Sequence, residues 1–388
     1  MTLVTVHEVA KAIRARYARA GRKEKTKILD EFSETTGLHR KAAIRLLRTG
    51  AGSGGWKKGR PRRYGPEVVE ALRLLWEVGD HMCGKLLAAV IADLLTALER
   101  HGELQVTPEV RDSLLAISPA TIDRLLRPAR RAVGRQPRRQ SPATTSLKAQ
   151  IPVRTWAEWT EVTPGSLQAD LVLHCGESVE GFFLTTLTAV DVATGWIELH
   201  SVWGLGKERV SAALHHVRKR LPFALRELHT DNGSEFINYT LRSWCIEKNI
   251  ACTRGRGYKK NDQAYVEQRN WLAVRRQVGY DRYNSHAAQE AMQRLYALLR
   301  LQLNFFRPLS KVISKERQGP RVTKRYDAPK TPYQRLLEAG ILDEVTQAAM
   351  AEQLLNINPA QLQRKIELAL RRLWNLTTRR ETLTRKVG

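Results

Sequence analysis

Apolar residues recur along this chain with two different periods, and the change of period divides it. From residue 7 to 50 the spacing is helical. Ile28, Leu29 and Phe32 share a face of Lys23–Phe32, and Ala43, Leu46 and Leu47 a face of His39–Leu47. Thr35-Thr36-Gly37-Leu38 between them reads as a turn. The period lapses over Trp56–Tyr64 and resumes from Pro66 to Arg131. One stripe there is Val68, Leu72, Leu75 and Trp76; another is Leu86, Leu87, Val90, Ile91, Leu94, Leu95 and Leu98. Ser118-Pro119 opens a further helix, with Ser as N-cap and Pro at its first position. Residues 134–150 collect Gly, Pro, Ser, Thr and Arg, the composition of a linker.

Beyond the linker the pattern predicts strands at Leu167–Cys175, Phe182–Asp191 and Ile197–Val202, with Asp191-Val192-Ala193-Thr194-Gly195 as a hairpin turn. A helix follows at Lys207–Arg220, a strand at Leu225–Thr230, a helix at Tyr239–Lys248, a short strand at Ile250–Thr253 and a helix at Asp262–Val278. A meander that passes into alternating strands and helices implies an α/β sheet with helices on its faces. Phe305–Tyr333 reads as a loop-rich basic segment, and apolar stripes through Leu336, Leu337, Ile341, Leu354, Leu355, Leu362, Ile366, Leu370 and Leu373 predict a helical tail. The expected fold class is therefore multidomain. It comprises an all-α N-terminal region (1–50), a basic arm (51–65), a second helical region (66–133), a linker (134–160), an α/β core (161–300) and a basic, mostly helical C-terminal region (301–388).

Charge narrows the class of partner. Lys and Arg number 65 against 39 Asp and Glu, a net charge of +26. Such a surplus favours a polyanion, because each neutralised phosphate releases a condensed counterion. The four cysteines contain no CxxC pair, so neither a disulfide framework nor a zinc knuckle is expected. No apolar run approaches the ~20 residues of a membrane helix, which points to a cytoplasmic protein, nucleoid-associated when on DNA. The helix pair around Gly37 matches the helix-turn-helix pattern, whose second helix enters the major groove; His39, Arg40, Lys41 and Arg45 would then face DNA. Lys57, Lys58, Arg60, Arg62 and Arg63 suit an arm along phosphates or in a minor groove. Arg124 and Arg127 lie on the outer face of the Ser118 helix, a candidate second helix-turn-helix. Each of these also has a plainer reading, as a solvated face of a helical bundle or a charged linker.

Three acids sit where isolated acids are least expected. Asp170 interrupts an apolar strand, Asp231 ends another, and Glu267 lies on a helix stripe with Val266, Asn270, Trp271, Val274 and Val278, which directs it toward the core. Charges near a core are costly unless paired or bound to metal. Three carboxylates form an all-oxygen set suited to Mg²⁺, with Mn²⁺ as an alternative, and two such ions can clamp an in-line displacement at phosphorus. Taken singly, Asp231-Asn232-Gly233 is a turn signal, Glu267 a surface acid and Asp170 an edge acid; Asp191 is a turn former, completed by Thr194-Gly195.

Together the acids resemble a known family. Asp231 and Glu267 are separated by 35 residues, 232 to 266. That is the interval of the retroviral-integrase-like DDE transposases. Leu167-Gln168-Ala169-Asp170 is similar to their first Asp, Thr230–Phe236 to their second, and Lys259–Trp271 to the Glu-bearing helix of bacterial insertion-sequence transposases. Asp191–Trp196 resembles the hairpin after their second strand. The resemblance covers residues 165–310 and implies an RNase H-like fold, Asp170, Asp231 and Glu267 as catalytic metal ligands, and Mg²⁺-dependent strand cleavage and transfer. It also implies a homo-oligomer bound to double-stranded DNA, at transposon terminal inverted repeats and target. Residues 1–82 lack cysteine, which separates the chain from integrases that begin with a zinc domain. Arg254, Arg256, Lys259 and Lys260 precede the Glu267 helix, and Arg269 lies within it; all five are placed as phosphate contacts. Two other readings stay open: a catalytically silent transposase-derived DNA-binding protein, and an RNase H-type nuclease.

Overall fold

The computed structural model describes residues 2–49, 63–132, 163–255 (without 232, 234 and 237), 264–318 and 321–378. It divides into two compact units, Met1–Gly65 and Pro66–Gly388. The first holds three helices, α1 (Leu3–Arg19), α2 (Arg22–Thr36) and α3 (Arg40–Thr49). Their shared core is Val6, Ala10, Tyr17, Ile28, Leu29, Phe32, Ala43 and Leu47, the last five among the residues whose helical spacing predicts it. Gly37 ends α2 in the left-handed conformation (φ 71°), which a side chain would resist.

The second unit opens with helices α4 (Pro66–Val78), α5 (Gly84–Arg100), α6 (Pro108–Leu115), α7 (Pro119–Leu125) and α8 (Arg127–Ala132). The Ser118 hydroxyl caps α7 at Thr121 N, as its position before Pro119 predicts. The sheet follows: β1 (Ser166–Leu173), β2 (Leu184–Asp191) and β3 (Ile197–Trp203), then α9 (Lys207–Arg220), β4 (Glu227–Thr230), α10 (Tyr239–Glu247) and β5 (Ala251–Arg254). Its strand order is β3-β2-β1-β4-β5, antiparallel through the meander and parallel from β1 to β5. Leu167, Ala169, Leu187, Leu228 and their neighbours bury one face against Val210, Leu214 and Val217 of α9 and Leu241 and Trp244 of α10. Burying several such side chains contributes roughly 2 kcal/mol each, which fixes the strand register.

Across the sheet lies a long helical run. It comprises α11 (Ala264–Arg269), a π-helical stretch at Asn270–Arg275 and α12 (Arg276–Val278), followed by α13 (His286–Leu301). Thr186 of β2 meets Tyr296 and Met292 of α13, and Ser201 of β3 binds Gln289 and Gln293. Next come β6 (Val312–Gln318) and β7 (Arg321–Tyr326), then α14 (Pro332–Glu338), α15 (Glu344–Asn356) and α16 (Pro359–Trp374). Part of Phe305–Tyr333, expected to be loop, is thus an antiparallel hairpin. Its strands carry few apolar residues, so the alternation that reveals a half-buried strand is missing. Among the described residues no helix is long and apolar enough to cross a membrane.

Candidate active site

The parallel register of β1 and β4 pairs Ala169 with Thr230, so Asp170 and Asp231 follow side by side along neighbouring strands. Both are partly buried. The Oδ1 of Asp170 accepts from Leu171 N (2.8 Å) and its Oδ2 from Asn270 Nδ2 (2.6 Å). Burial, reinforced by the charge of Asp231 and less strongly by that of Glu267, pushes the Asp170 carboxyl up to about 7. The Asp231 carboxyl is also raised by burial, partly offset by the Gly233 N–H that its Oδ1 accepts at 2.9 Å.

Glu267 arrives on α11, which Gln168 of β1 meets by accepting Val266 N at Oε1 (3.3 Å). The buried face of this helical run carries Val266, Arg269, Asn270, Ala273, Val274, Gln277 and Val278. Glu267 and Trp271, four residues apart, lie on the open side; both are exposed. The inward direction expected for Glu267 is therefore corrected. Its stripe follows a 3.6-residue period that the π-helical stretch from Asn270 interrupts, and Glu267 stands at the rim of the site with its charge still acting on Asp170.

The donor set is three carboxylates, the chemistry that hard divalent cations select over nitrogen and sulfur ligands. Asn270 adds a buried Oδ1 without a hydrogen-bond partner beside Asp170. The chemistry of this donor set suits a divalent ion. Among the described residues, no group of three or more His, Cys, Asp or Glu is close enough as it stands to hold one.

The remaining expected contacts divide. On α3, Arg40, Lys41 and Arg45 are exposed, as are His39 just before it and Arg63; Arg40 pairs with Asp30. Arg124 and Arg127 are exposed too. Lys57, Lys58, Arg60, Arg62, Arg256, Lys259 and Lys260 lie outside the described residues. Two assignments are overturned. Arg269 is buried, donates to the Gly195 carbonyl (3.2 Å) and is pushed down to about 10 by burial and by the charges of Arg307 and Arg335. It braces the helix on the β2–β3 turn and presents nothing to a phosphate. Arg254, at the end of β5, is likewise buried. Asp191 is the turn former expected of it, accepting from Gly165 N, Thr194 N and Thr194 Oγ1.

Sequence reasoning missed two supports. Asn270, three residues beyond Glu267, holds Asp170; its place inside the Lys259–Trp271 word was the available signal. The other is Asp80, in the α4–α5 turn at φ 54°. Its buried carboxylate accepts from Arg276 Nη1 (2.7 Å), Arg276 Nη2 (3.0 Å) and Arg307 Nη1 (2.9 Å), tying that turn to the end of the Glu267 helix. Nothing in Gly79-Asp80 distinguishes it from an ordinary turn.

Residues 163–260 match the integrase core domain family, over the segment that supplies β1 to β5. A protein of Sinorhizobium fredii (strain NBRC 101917 / NGR234), called uncharacterized protein y4rM, is 43% identical over 335 residues, 86% of this chain and 96% of that protein. The chain belongs to one family with that protein, and its residues 163–260 are an integrase core domain. Among solved structures, the catalytic core domain of BIV integrase matches at 19% identity and a TM-score of 0.29, over 45% of this chain and 95% of that one. The sheet and its flanking helices α9 and α10 make up this domain, with a helical region before it and another after.

Proposed function

We propose that this protein is a DNA transposase that binds the ends of its element and carries out Mg²⁺-dependent strand cleavage and strand transfer. The observation that supports it is the pairing of two acids at the sheet, with a third acid on the facing helix. Asp170 of β1 and Asp231, just past β4, follow the paired residues Ala169 and Thr230, and the charge of Glu267 on the facing helix acts on Asp170. In this reading Asp170, Asp231 and Glu267 hold the divalent ions. Ions held there would activate a water or 3′-hydroxyl and neutralise charge on the departing oxygen.

The chain's own residues prepare that geometry. The Asn270 amide turns the Asp170 carboxylate, the Gly233 N–H turns that of Asp231, and Glu267 is exposed at the rim of the site. Binding of transposon ends falls to the basic first unit, with His39, Arg40, Lys41 and Arg45 beside or on α3 and with the basic stretch through Arg63. Assembly as a homo-oligomer on two ends belongs to the same reading.

The test is joining of a pre-cleaved terminal fragment to target DNA by purified protein with Mg²⁺. The variant Asp231→Asn keeps shape and removes charge. It is expected to lose joining by roughly a thousandfold or more, about 4 kcal/mol of transition-state stabilisation, while still binding DNA. Joining at the wild-type rate by Asp231→Asn would remove the metal assignment. Hydrolysis of RNA–DNA hybrids without any joining would replace the transposase by a nuclease.

A further inference from the structure

The hairpin β6–β7 is a two-stranded sheet of its own. Along Val312–Tyr326 it carries five cations (Lys315, Arg317, Arg321, Lys324 and Arg325) against one acid, Glu316. Lys324 and Arg325 are exposed. So are apolar residues: Ile313 at 67%, Val322 at 41% and Tyr326 at 48%. The register sets Lys315 opposite Lys324 along the backbone. A lone two-stranded ribbon is already marginal in water.

The base of the ribbon is nonetheless fixed. Asp327 Oδ1 accepts Lys311 N (2.6 Å), its Oδ2 pairs with Arg335 (2.7 Å), and Leu309 and Lys330 exchange backbone hydrogen bonds. Lys311 Nζ reaches the Ala193 carbonyl (2.7 Å) in the β2–β3 turn, the turn on which Arg269 braces the Glu267 helix. A cationic, two-stranded arm is thus held out from the core by a built root.

We infer that the ribbon Val312–Tyr326 is a DNA-docking arm that lies against duplex phosphates; the choice of duplex DNA among polyanions rests on the transposase reading. A two-stranded ribbon fits the major groove of B-DNA, and the exposed Lys324 and Arg325 would meet its phosphates. A second copy of the chain is the poorer occupant, because cations along a strand edge oppose edge-to-edge pairing.

The experiment uses the full chain without divalent ions and measures affinity for a labelled DNA duplex of arbitrary sequence over a series of salt concentrations. Lys324→Ala with Arg325→Ala should make the plot of log affinity against log salt shallower by about 1.8, near 0.9 for each phosphate no longer neutralised, and weaken binding roughly tenfold or more. The control Arg73→Ala with Arg294→Ala removes equal charge from positions where each Arg already pairs with an acid on its own helix, and should leave the slope unchanged. A photo-crosslinking residue at Ile313 should join to the duplex. An unchanged slope for the ribbon variant, an equal change in the control, or a slope change seen only with duplex RNA would overturn the inference. Binding and chemistry separate cleanly here. A slope change without any strand transfer by the wild type keeps the arm and removes the transposase; an unchanged slope with normal joining removes the arm alone.

Discussion

Two acids in the same sheet have opposite surroundings. Glu198 of β3 is fully buried, and it is answered. Arg300 Nε (2.6 Å) and Arg220 Nε (3.0 Å) each meet one of its oxygens, and Trp196 Nε1 donates at 3.0 Å. Asp170, two strands away, receives a backbone N–H and an amide, and its neighbours are more acids. A buried carboxylate matched by guanidinium groups ties elements together. One crowded by its own kind raises the local appetite for a proton or a cation, and a chain with 65 Lys and Arg does not arrive at that by shortage.

The comparison has consequences of unequal size. The largest is for Glu198→Ala, which strands two arginines and should lower stability by roughly 3 kcal/mol, the lower end for a broken buried pair because both arginines keep some exposure. Denaturant unfolding reads it, and an unchanged midpoint would make Glu198 as dispensable as a surface acid. Next comes His174, a buried titratable group of the third kind, answered by one hydroxyl: its Nε2 lies 2.7 Å from Thr186 Oγ1, and burial pushes it down to about 3. The unfolded chain takes up its proton near 6.5 and the folded chain does not, so this stability is complete above 6.5 and lost as pH falls toward 3. At pH 5 the loss is about 2 kcal/mol, and His174→Gln should remove that part of the acid sensitivity. The smallest effect has the opposite sign. Asp170→Asn relieves crowding and should raise stability without Mg²⁺ by about 1 kcal/mol, while abolishing the Mg²⁺-induced rise in melting temperature expected of the wild type. Destabilisation by Asp170→Asn would make the two acids alike.

Much of the fold was legible because the elements flanking the site obey simple periods. Lys207–Arg220 has the same limits as α9, and Ile197 opens both the expected and the observed β3. The β2–β3 turn was readable from Asp191, Thr194 and Gly195, whose local hydrogen bonds need no distant partner. What escaped depends on partners far along the chain. Arg269 looked like a phosphate contact because a charge on a helix usually faces water, whereas here the Gly195 carbonyl lies within its reach. Glu267 was given the wrong side because the run passes from α to π geometry at Asn270, shifting the stripe that a 3.6-residue period extrapolates. The described side chains of the β6–β7 ribbon are mostly exposed, and its sequence carries no regular hydrophobic alternation to find. The side-by-side placement of Asp170 and Asp231 was implied by motif spacing but needed the strand register to become geometry.

The Asp80 contacts bear on how portable this core is. The family-matched segment begins at residue 163, yet the helix that follows it ends on an acid contributed by the turn after α4. A fragment trimmed to the sheet and its helices would inherit Arg276 and Arg307 with their shared anion left behind. Transplanting the core into another architecture therefore requires either carrying residues 66–132 along or rewriting both arginines as neutral side chains.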